Sequence, residues 1–370
     1  MNSERLPLGL LYTGGTIGME PGERGLAITA DAADFEARLR ARLPSDCPAF
    51  ERLDASIPLM DSSNAQPDDW RLLAQLIYQN RQHFAGFVVL TGTDTMAHTA
   101  SALSFLLAGL ELPVVLTGAQ RPLGPARPKK PIEPTDAVSN VSSALQYCFA
   151  LGDLNRPNIF LSCVFLAFDS LLLRGNCARK VDSARLRAFQ SPNLPPVGQL
   201  IDGQVKLEQT LLYRDNPEFV RSLPSASLES RMAALDSAAT WNQPAVASCF
   251  LLPGAAALQL DAALWPDCRA LLLLSYGSGN IPSTDTAFLS HLSRLRQRGL
   301  LMLNTTQCLA GGVGGNYETG HALRELGIVS AGLMTPESAF VKLHLFARLP
   351  MLYPADSLDT DLCGEQIMPV

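Results

Sequence analysis

Apolar residues in this chain come in short unbroken runs. Each run ends in a cluster of small polar residues and then in a stretch with helical spacing. Leu8, Leu10 and Leu11 form the first run, which ends in Thr13-Gly14-Gly15-Thr16. An apolar run without polar alternation marks a strand covered on both faces, as in a parallel sheet. The pattern recurs at 86–90, before Thr91-Gly92-Thr93-Asp94, and at 112–116, before Thr117-Gly118-Ala119-Gln120. Further strands are predicted at 57–60 and 159–165, and helices at 34–42, 67–83, 97–107 and 136–149. From 191 to 243 the chain turns Pro-rich and then mixed polar. Beyond 245 the pattern resumes, with strands at 247–252, 271–275 and 300–304 and helices at 256–264, 284–298 and 338–349. The expected organisation is an N-terminal α/β domain over 1–197, a connection over 198–244 and a C-terminal α/β domain over 245–370.

Three Thr-Gly corners after buried strands are more than turn chemistry demands. Ligands of open α/β sheets sit at the carboxyl ends of strands, so Thr16 is a candidate hydroxyl nucleophile. The alternative is a Gly-rich turn whose threonines only hydrogen-bond the backbone. Residues 21–26 follow at once, as a lid or as an ordinary surface loop. Asp61-Ser62-Ser63-Asn64 reads as a ligand loop or as the N-cap of the helix that Pro67 starts. Lys180, shortly after Arg174-Gly175-Asn176, is a surface charge or, if desolvated, a neutral base.

Composition narrows the function. The 370 residues are 47% hydrophobic and 17% charged, with a formal net charge of −6. That describes a globular protein with a sizeable core and no attraction for nucleic acid or an anionic membrane. The basic cluster Arg127, Lys129 and Lys130 is short and set among prolines. No apolar span approaches a membrane helix, and no secretory leader is expected in residues 1–7. The eight cysteines include no C-x-x-C pair, and the five histidines stand apart from other ligand types. Reduced thiols, a cytoplasmic location and no metal or other cofactor are therefore expected. No G-x-G-x-x-G follows a strand, which argues against a dinucleotide site.

TGGTIG at 13–18 and TGTDTM at 91–96 together resemble the two signatures of the bacterial-type L-asparaginases. MDSS (60–63), TGAQRP (117–122), RGN…K (174–180), AFQSPNLPP (188–196), YGSGN (276–280), TQC (306–308) and MTPE…KL (334–343) extend the resemblance over nearly the whole chain. Asp61-Ser62-Ser63 and the RGN before Lys180 make it similar to the cytosolic, type I branch. The resemblance implies a larger, doubly wound N-terminal sheet domain and a smaller C-terminal α/β domain. It also implies homodimers or homotetramers whose active sites are shared between subunits. The reaction implied is hydrolysis of L-asparagine to L-aspartate and ammonia through an acyl-threonine. Thr16 matches the nucleophile, and Thr93, Asp94 and Lys180 match a second catalytic group. Asp61, Ser62, Ser63, Thr93, Asp94 and Ala119 match substrate-binding positions, and Asn280 is expected to reach in from the neighbouring subunit. Three positions depart from the family. Leu26 stands where many relatives carry a lid tyrosine, and Tyr317 is its expected catalytic replacement. Arg179 stands where a threonine serves an allosteric asparagine pocket, of which Cys308 matches another part. Residues 124–134 are longer and richer in proline. The alternatives are the same chemistry on glutamine, a D-amino acid or a peptide amide, or a non-catalytic amino-acid sensor.

Overall fold

The computed structural model describes residues 6–23, 25–28, 31–53, 57–125, 134–154, 164–212, 227–236, 241–261, 265–314, 323 and 325–366. The expected roles of Tyr317 and of the basic cluster at 127–130 fall outside these residues. The chain divides into two compact units, Met1–Ser191 with Pro195–Asp215, and Pro192–Leu194 with Asn216–Val370.

The first unit is built on an eight-stranded sheet. Five strands run parallel: β1 (Leu8–Tyr12), β4 (Phe50–Leu53), β5 (Phe87–Leu90), β6 (Val114–Thr117) and β7 (Val164–Phe168). Antiparallel β8 (Leu171–Arg174) and the hairpin of β11 (Gly198–Ile201) and β12 (Gln204–Leu207) extend one edge, giving the order β12-β11-β8-β7-β6-β5-β1-β4. A separate hairpin of β2 (Met19–Gly22) and β3 (Gly25–Ile28) follows the first corner. β1, β5, β6 and β7 are buried at every position, as their continuous apolar runs require.

Helices α1 (Ala32–Arg40) and α4 (Ala137–Gly152) cover one face. Phe35, Leu39, Val141, Ala144 and Leu145 pack there against Leu8, Leu10, Val88, Leu90, Val115 and Phe165. Alternation turns Leu11, Val89, Leu116 and Leu166 to the opposite face, and all four are fully buried. Helix α3 (Met96–Leu106) packs there on β6 and β7 and against α2 (Pro67–Asn80). The sheet is thus doubly wound, as expected.

Two expected elements differ. Residues 57–60 form no strand. Met60 makes a single parallel bridge to Gly14, and Pro58, lacking an N–H, cannot extend a ladder there. The first residues of the expected connection, Gly198–Leu207, form the β11–β12 hairpin, which pairs with β8 of the large sheet.

The second unit holds α5 (Leu228–Asp236) and a four-stranded parallel sheet. Its order is β13 (Val246–Phe250), β14 (Ala270–Ser275), β15 (Leu301–Thr306) and β16 (Val329–Ser330). On one face α6 (Thr286–Gln297) sends Phe288, Leu292 and Leu295 into a core with Leu271, Leu273 and Met302. Helix α7 (Pro336–Arg348) packs on β13, β14 and β15.

Lys342 of α7 and Glu365 are both fully buried and form an ion pair at 2.8 Å. Lys342 Nζ also donates to the Thr360 carbonyl at 2.6 Å. The Glu365 carboxylate accepts from the Leu362 and Cys363 amides at 3.0 and 2.9 Å. The lysine charge and these amides outweigh the desolvation that opposes them and hold the carboxyl well below the usual range, at about 2. Removing one member of such a pair leaves the other charge uncompensated. Glu365→Ala is expected to cost about 3–5 kcal/mol in urea denaturation at neutral pH. Because the folded-state carboxyl titrates lower than the unfolded one, its contribution is complete above the ordinary carboxylate range and is lost as pH falls toward about 2. The gap between wild type and variant is therefore expected to close with acidification.

Candidate active site

Chain order and spatial order of the parallel strands disagree at one place. From β1 the chain steps to β4 on one side, then crosses to β5 on the other, so the connections diverge between β1 and β5. The carboxyl ends of two such strands bound a crevice, the usual ligand position in an open α/β sheet. The corners 13–16 and 91–95 leave the sheet there.

The two corners meet backbone to backbone. A Cβ on Gly15, whose φ is +84°, would lie 2.3 Å from the Gly92 Cα. A Cβ on Gly92 would lie 2.4 Å from the Ser62 Oγ, and one on Gly118 would lie 2.3 Å from the Thr91 carbonyl. Only glycine permits these approaches. Thr13 spends its hydroxyl on the Leu90 carbonyl at 3.1 Å and so is structural. Gly15 donates its amide to Met60 O at 2.9 Å, and Ile17 O accepts from Leu123 N at 2.9 Å. Thr16 lies between these anchors at the start of a single 3-10 turn, Thr16–Gly18, and is half-buried.

Thr93, one residue beyond the Gly15–Gly92 contact, is buried. Lys180 donates to Thr93 Oγ1 at 2.7 Å and to Asp94 Oδ1 at 2.7 Å. Its position follows from a small hairpin of β9 (Arg179–Lys180) and β10 (Phe189–Gln190), in which Lys180 pairs with Phe189. The setting of Lys180 is partly solvated. The Lys180 side chain keeps 18% exposure and its partner Asp94 keeps 61%. The Lys180 amine is held by a hydroxyl oxygen and a water-facing carboxylate.

The Asp61-Ser62-Ser63 loop adjoins this group. Ser62 Oγ accepts from the Asp94 amide at 3.3 Å, and Ser62 O accepts from Thr95 Oγ1 at 2.8 Å. Asp61 accepts from the Ser63 amide and hydroxyl, both at 2.9 Å. It caps the 3-10 turn Ser62–Asn64, whereas α2 is capped separately by a Gln66–Asp69 box. Ala119 is buried and offers only its backbone. Asn280 belongs to the second unit, in the turn after β14, where its amide donates to the Tyr276 carbonyl at 2.8 Å.

Three residues escape a reading of the sequence. Gln120 accepts from Thr93 Oγ1 at 3.3 Å. Asp136 occupies the N-cap position of α4, yet its carboxylate makes no cap. Instead it accepts from the Gln120 amide at 2.9 Å, the Arg121 amide at 3.0 Å and Asn140 Nδ2 at 3.1 Å. Arg38, a buried residue of α1, pairs with Glu20 of β2 at 2.8 Å and donates to the Gly124 carbonyl at 2.8 Å. It ties the hairpin that follows Thr16 to the loop that holds Ile17. Leu26, on β3, is 52% exposed and brings no polar atom to that hairpin.

A family model described as "Asparaginase, N-terminal" matches residues 8–213, and one for the "Glutaminase/Asparaginase C-terminal domain" matches 245–350. The chain belongs to the asparaginase family. It is 35% identical to L-asparaginase 1 of Escherichia coli K12 over 335 residues, 90% of this chain and 89% of that protein. A mouse 60 kDa lysophospholipase is 36% identical over 393 residues, and the match spans 64% of that longer protein. The crystal structure of L-asparaginase I from Vibrio cholerae superimposes with a TM-score of 0.74 at 32% identity, covering 99% of this chain and all of that one.

The Asp136 carboxylate is the anchor of the Gln120 corner. Asp136→Ala strands two amides that it satisfies, at a cost of about 1–3 kcal/mol for each donor left buried. Hydrogen exchange is expected to speed up selectively at the Gln120 and Arg121 amides, ahead of the amides of β5 and β6.

Proposed function

We propose that the protein hydrolyses L-asparagine to L-aspartate and ammonia through an acyl-threonine formed on Thr16. The observation that carries this reading is the pairing of Lys180 with both Thr93 Oγ1 and Asp94 Oδ1, beside the corner that presents Thr16. A hydroxyl becomes an adequate nucleophile only when a positioned group takes its proton. In the resting site Lys180 is a donor, so something must release it. The α-ammonium of an amino acid supplies that trigger. The Asp94 side chain is open to solvent, so its carboxylate can accept from that ammonium as well as from Lys180. A second cation beside Lys180 disfavours the protonated amine, and Thr93 then lies between that amine and the reacting groups.

Asp61, Ser62 and Ser63 would hold the rest of the zwitterion, and Ala119 would contribute backbone groups near the amide. Backbone N–H groups at the Thr16 and Thr93 corners are the natural donors for the developing oxyanion. Asn280 would complete the site from a second subunit of a homodimer or homotetramer. A cytoplasmic location accords with the seven cysteines among the described residues, all of which are free.

The test is ammonia release by the purified protein with L-asparagine, L-glutamine and D-asparagine in parallel. L-Asparagine is expected to be the best substrate. Thr16→Ala is expected to abolish its turnover, and Lys180→Met to lower kcat by about 10²–10⁴-fold. Activity that survives Thr16→Ala would reject the nucleophile. Aspartate binding with no turnover of any amide would leave a sensor.

A further inference from the structure

The amide of Gln120 sits between the two halves of the proposed catalytic group. Its Nε2 faces two backbone carbonyls, Arg185 O at 3.2 Å and Asp182 O at 3.4 Å. Carbonyls only accept, so both amide hydrogens are committed to that side. The opposite end, Oε1, must then face Thr93 Oγ1, and between those two oxygens only the threonine can donate. Lys180 donates to the same Thr93 oxygen from another direction.

The turn that offers the carbonyls is itself fixed. Asp182 accepts from the Ala184 and Arg185 amides at 2.8 and 2.9 Å, and Val181 N bonds to Ala188 O at 2.7 Å. These backbone bonds hold the Asp182 carboxyl below its usual range. Behind Gln120, Asp136 pins the backbone. The amide is therefore held at three points, and its orientation is dictated by main-chain groups.

We propose that Gln120 is a positioning residue that sets the direction of the Thr93 hydroxyl. It draws the Thr93 proton away from Lys180 and leaves an oxygen lone pair facing the ammonium. The hydrogen bonds run one way, from Lys180 Nζ to Thr93 Oγ1, to Gln120 Oε1, and from Gln120 Nε2 to the 182–185 carbonyls. This polarity keeps Lys180 engaged as a donor to Thr93. It also ties the Thr93 corner to the turn that follows Lys180, so the two cannot drift apart. The inference rests on the proposed roles of Thr93 and Lys180.

The variants Gln120→Leu and Gln120→Glu separate direction from bulk. Leucine fills the space and removes the acceptor. Gln120→Leu is expected to lower kcat for L-asparagine by about ten-fold or more and to leave KM within about three-fold. Its melting temperature is expected to move by no more than about 4 °C. A glutamate carboxylate opposes the Asp182 and Arg185 carbonyls, whereas the acid form can donate to one of them and still accept from Thr93. The activity of Gln120→Glu relative to wild type is therefore expected to rise as pH falls through its carboxyl titration. The other ionisable groups that face this position are Lys180, Asp94, Asp136, Asp182, Arg121 and Arg185. Lys180 donates to the same Thr93 oxygen, so the introduced carboxylate titrates coupled to it, and Gln120→Leu, which adds no charge, is the control for that coupling. Wild-type kcat in Gln120→Leu, a loss carried wholly by KM, or a Gln120→Glu ratio that does not change with pH would each overturn the proposal. If Gln120→Leu does not fold, the Gln120→Glu ratio decides alone. Thr93→Val and Lys180→Met are measured alongside. Full activity in those two would reject the catalytic reading itself, whereas their loss beside an unaffected Gln120→Leu would reject only the role of Gln120.

Discussion

Close packing on bare glycine backbone, where the chain connections diverge between β1 and β5, is the constraint on which the rest of the site depends. Gly15 lies on Gly92, Gly92 lies on Ser62, and Gly118 lies on the Thr91 carbonyl, each with no room for a Cβ. Those contacts nest the loops after β1, β5 and β6 with the 60–64 loop into one corner. Thr16, Thr93 and Gln120 are then each only one or two residues from a fixed backbone point. Thr16 follows Gly15, Thr93 follows Gly92, and Gln120 stands two residues past Gly118. The hydrophobic layers above and below the sheet hold the strands in place, and the glycines convert that rigidity into side-chain placement.

Within this frame the site is organised by hydrogen-bond direction as much as by charge. A buried Asp136 gives its carboxylate to backbone amides where a helix cap would be the ordinary use. That fixes Gln120, which accepts a hydrogen bond from the Thr93 hydroxyl, while Lys180 approaches with Asp94. The exposed carboxylate is the adjustable member. In the proposed reaction this carboxylate would also receive the incoming ammonium of the substrate. Arg38 serves the other side of the corner, where one guanidinium joins the β2–β3 hairpin to the Leu123–Gly124 loop that secures Ile17.

Much of this was legible in the sequence, for physical reasons. The runs ending at Leu11, Leu90 and Leu116 had to be strands covered on both faces, and the threonines and glycines after them had to sit at strand ends. What escaped was whatever depends on partners distant along the chain. Residues 57–60 read as a strand because Ile57, Leu59 and Met60 are apolar, yet Met60 spends its backbone on the Gly14 loop. The hairpin over 198–207 was hidden because its alternating pattern has one solvated face and sits within a polar stretch. Asp136 reads only as the start of a helix, because nothing local says that its carboxylate turns toward residues 120 and 121. Lys180 looked like a surface charge, and only the Lys180–Phe189 register brings it to Thr93. Gln120 lies in the TGAQRP segment, but its contacts with the 182–185 carbonyls depend on residues more than sixty positions away.

The most direct test of the central claim is to locate the acyl group. The enzyme is mixed with L-asparagine, quenched in acid within the first turnovers, digested and mapped by mass spectrometry. An aspartyl ester on the peptide that begins the 3-10 turn, with fragmentation placing it on Thr16, is the expected result. An ester on Thr93, or continued release of ammonia with no ester on either threonine while the intermediate should accumulate, would contradict the account.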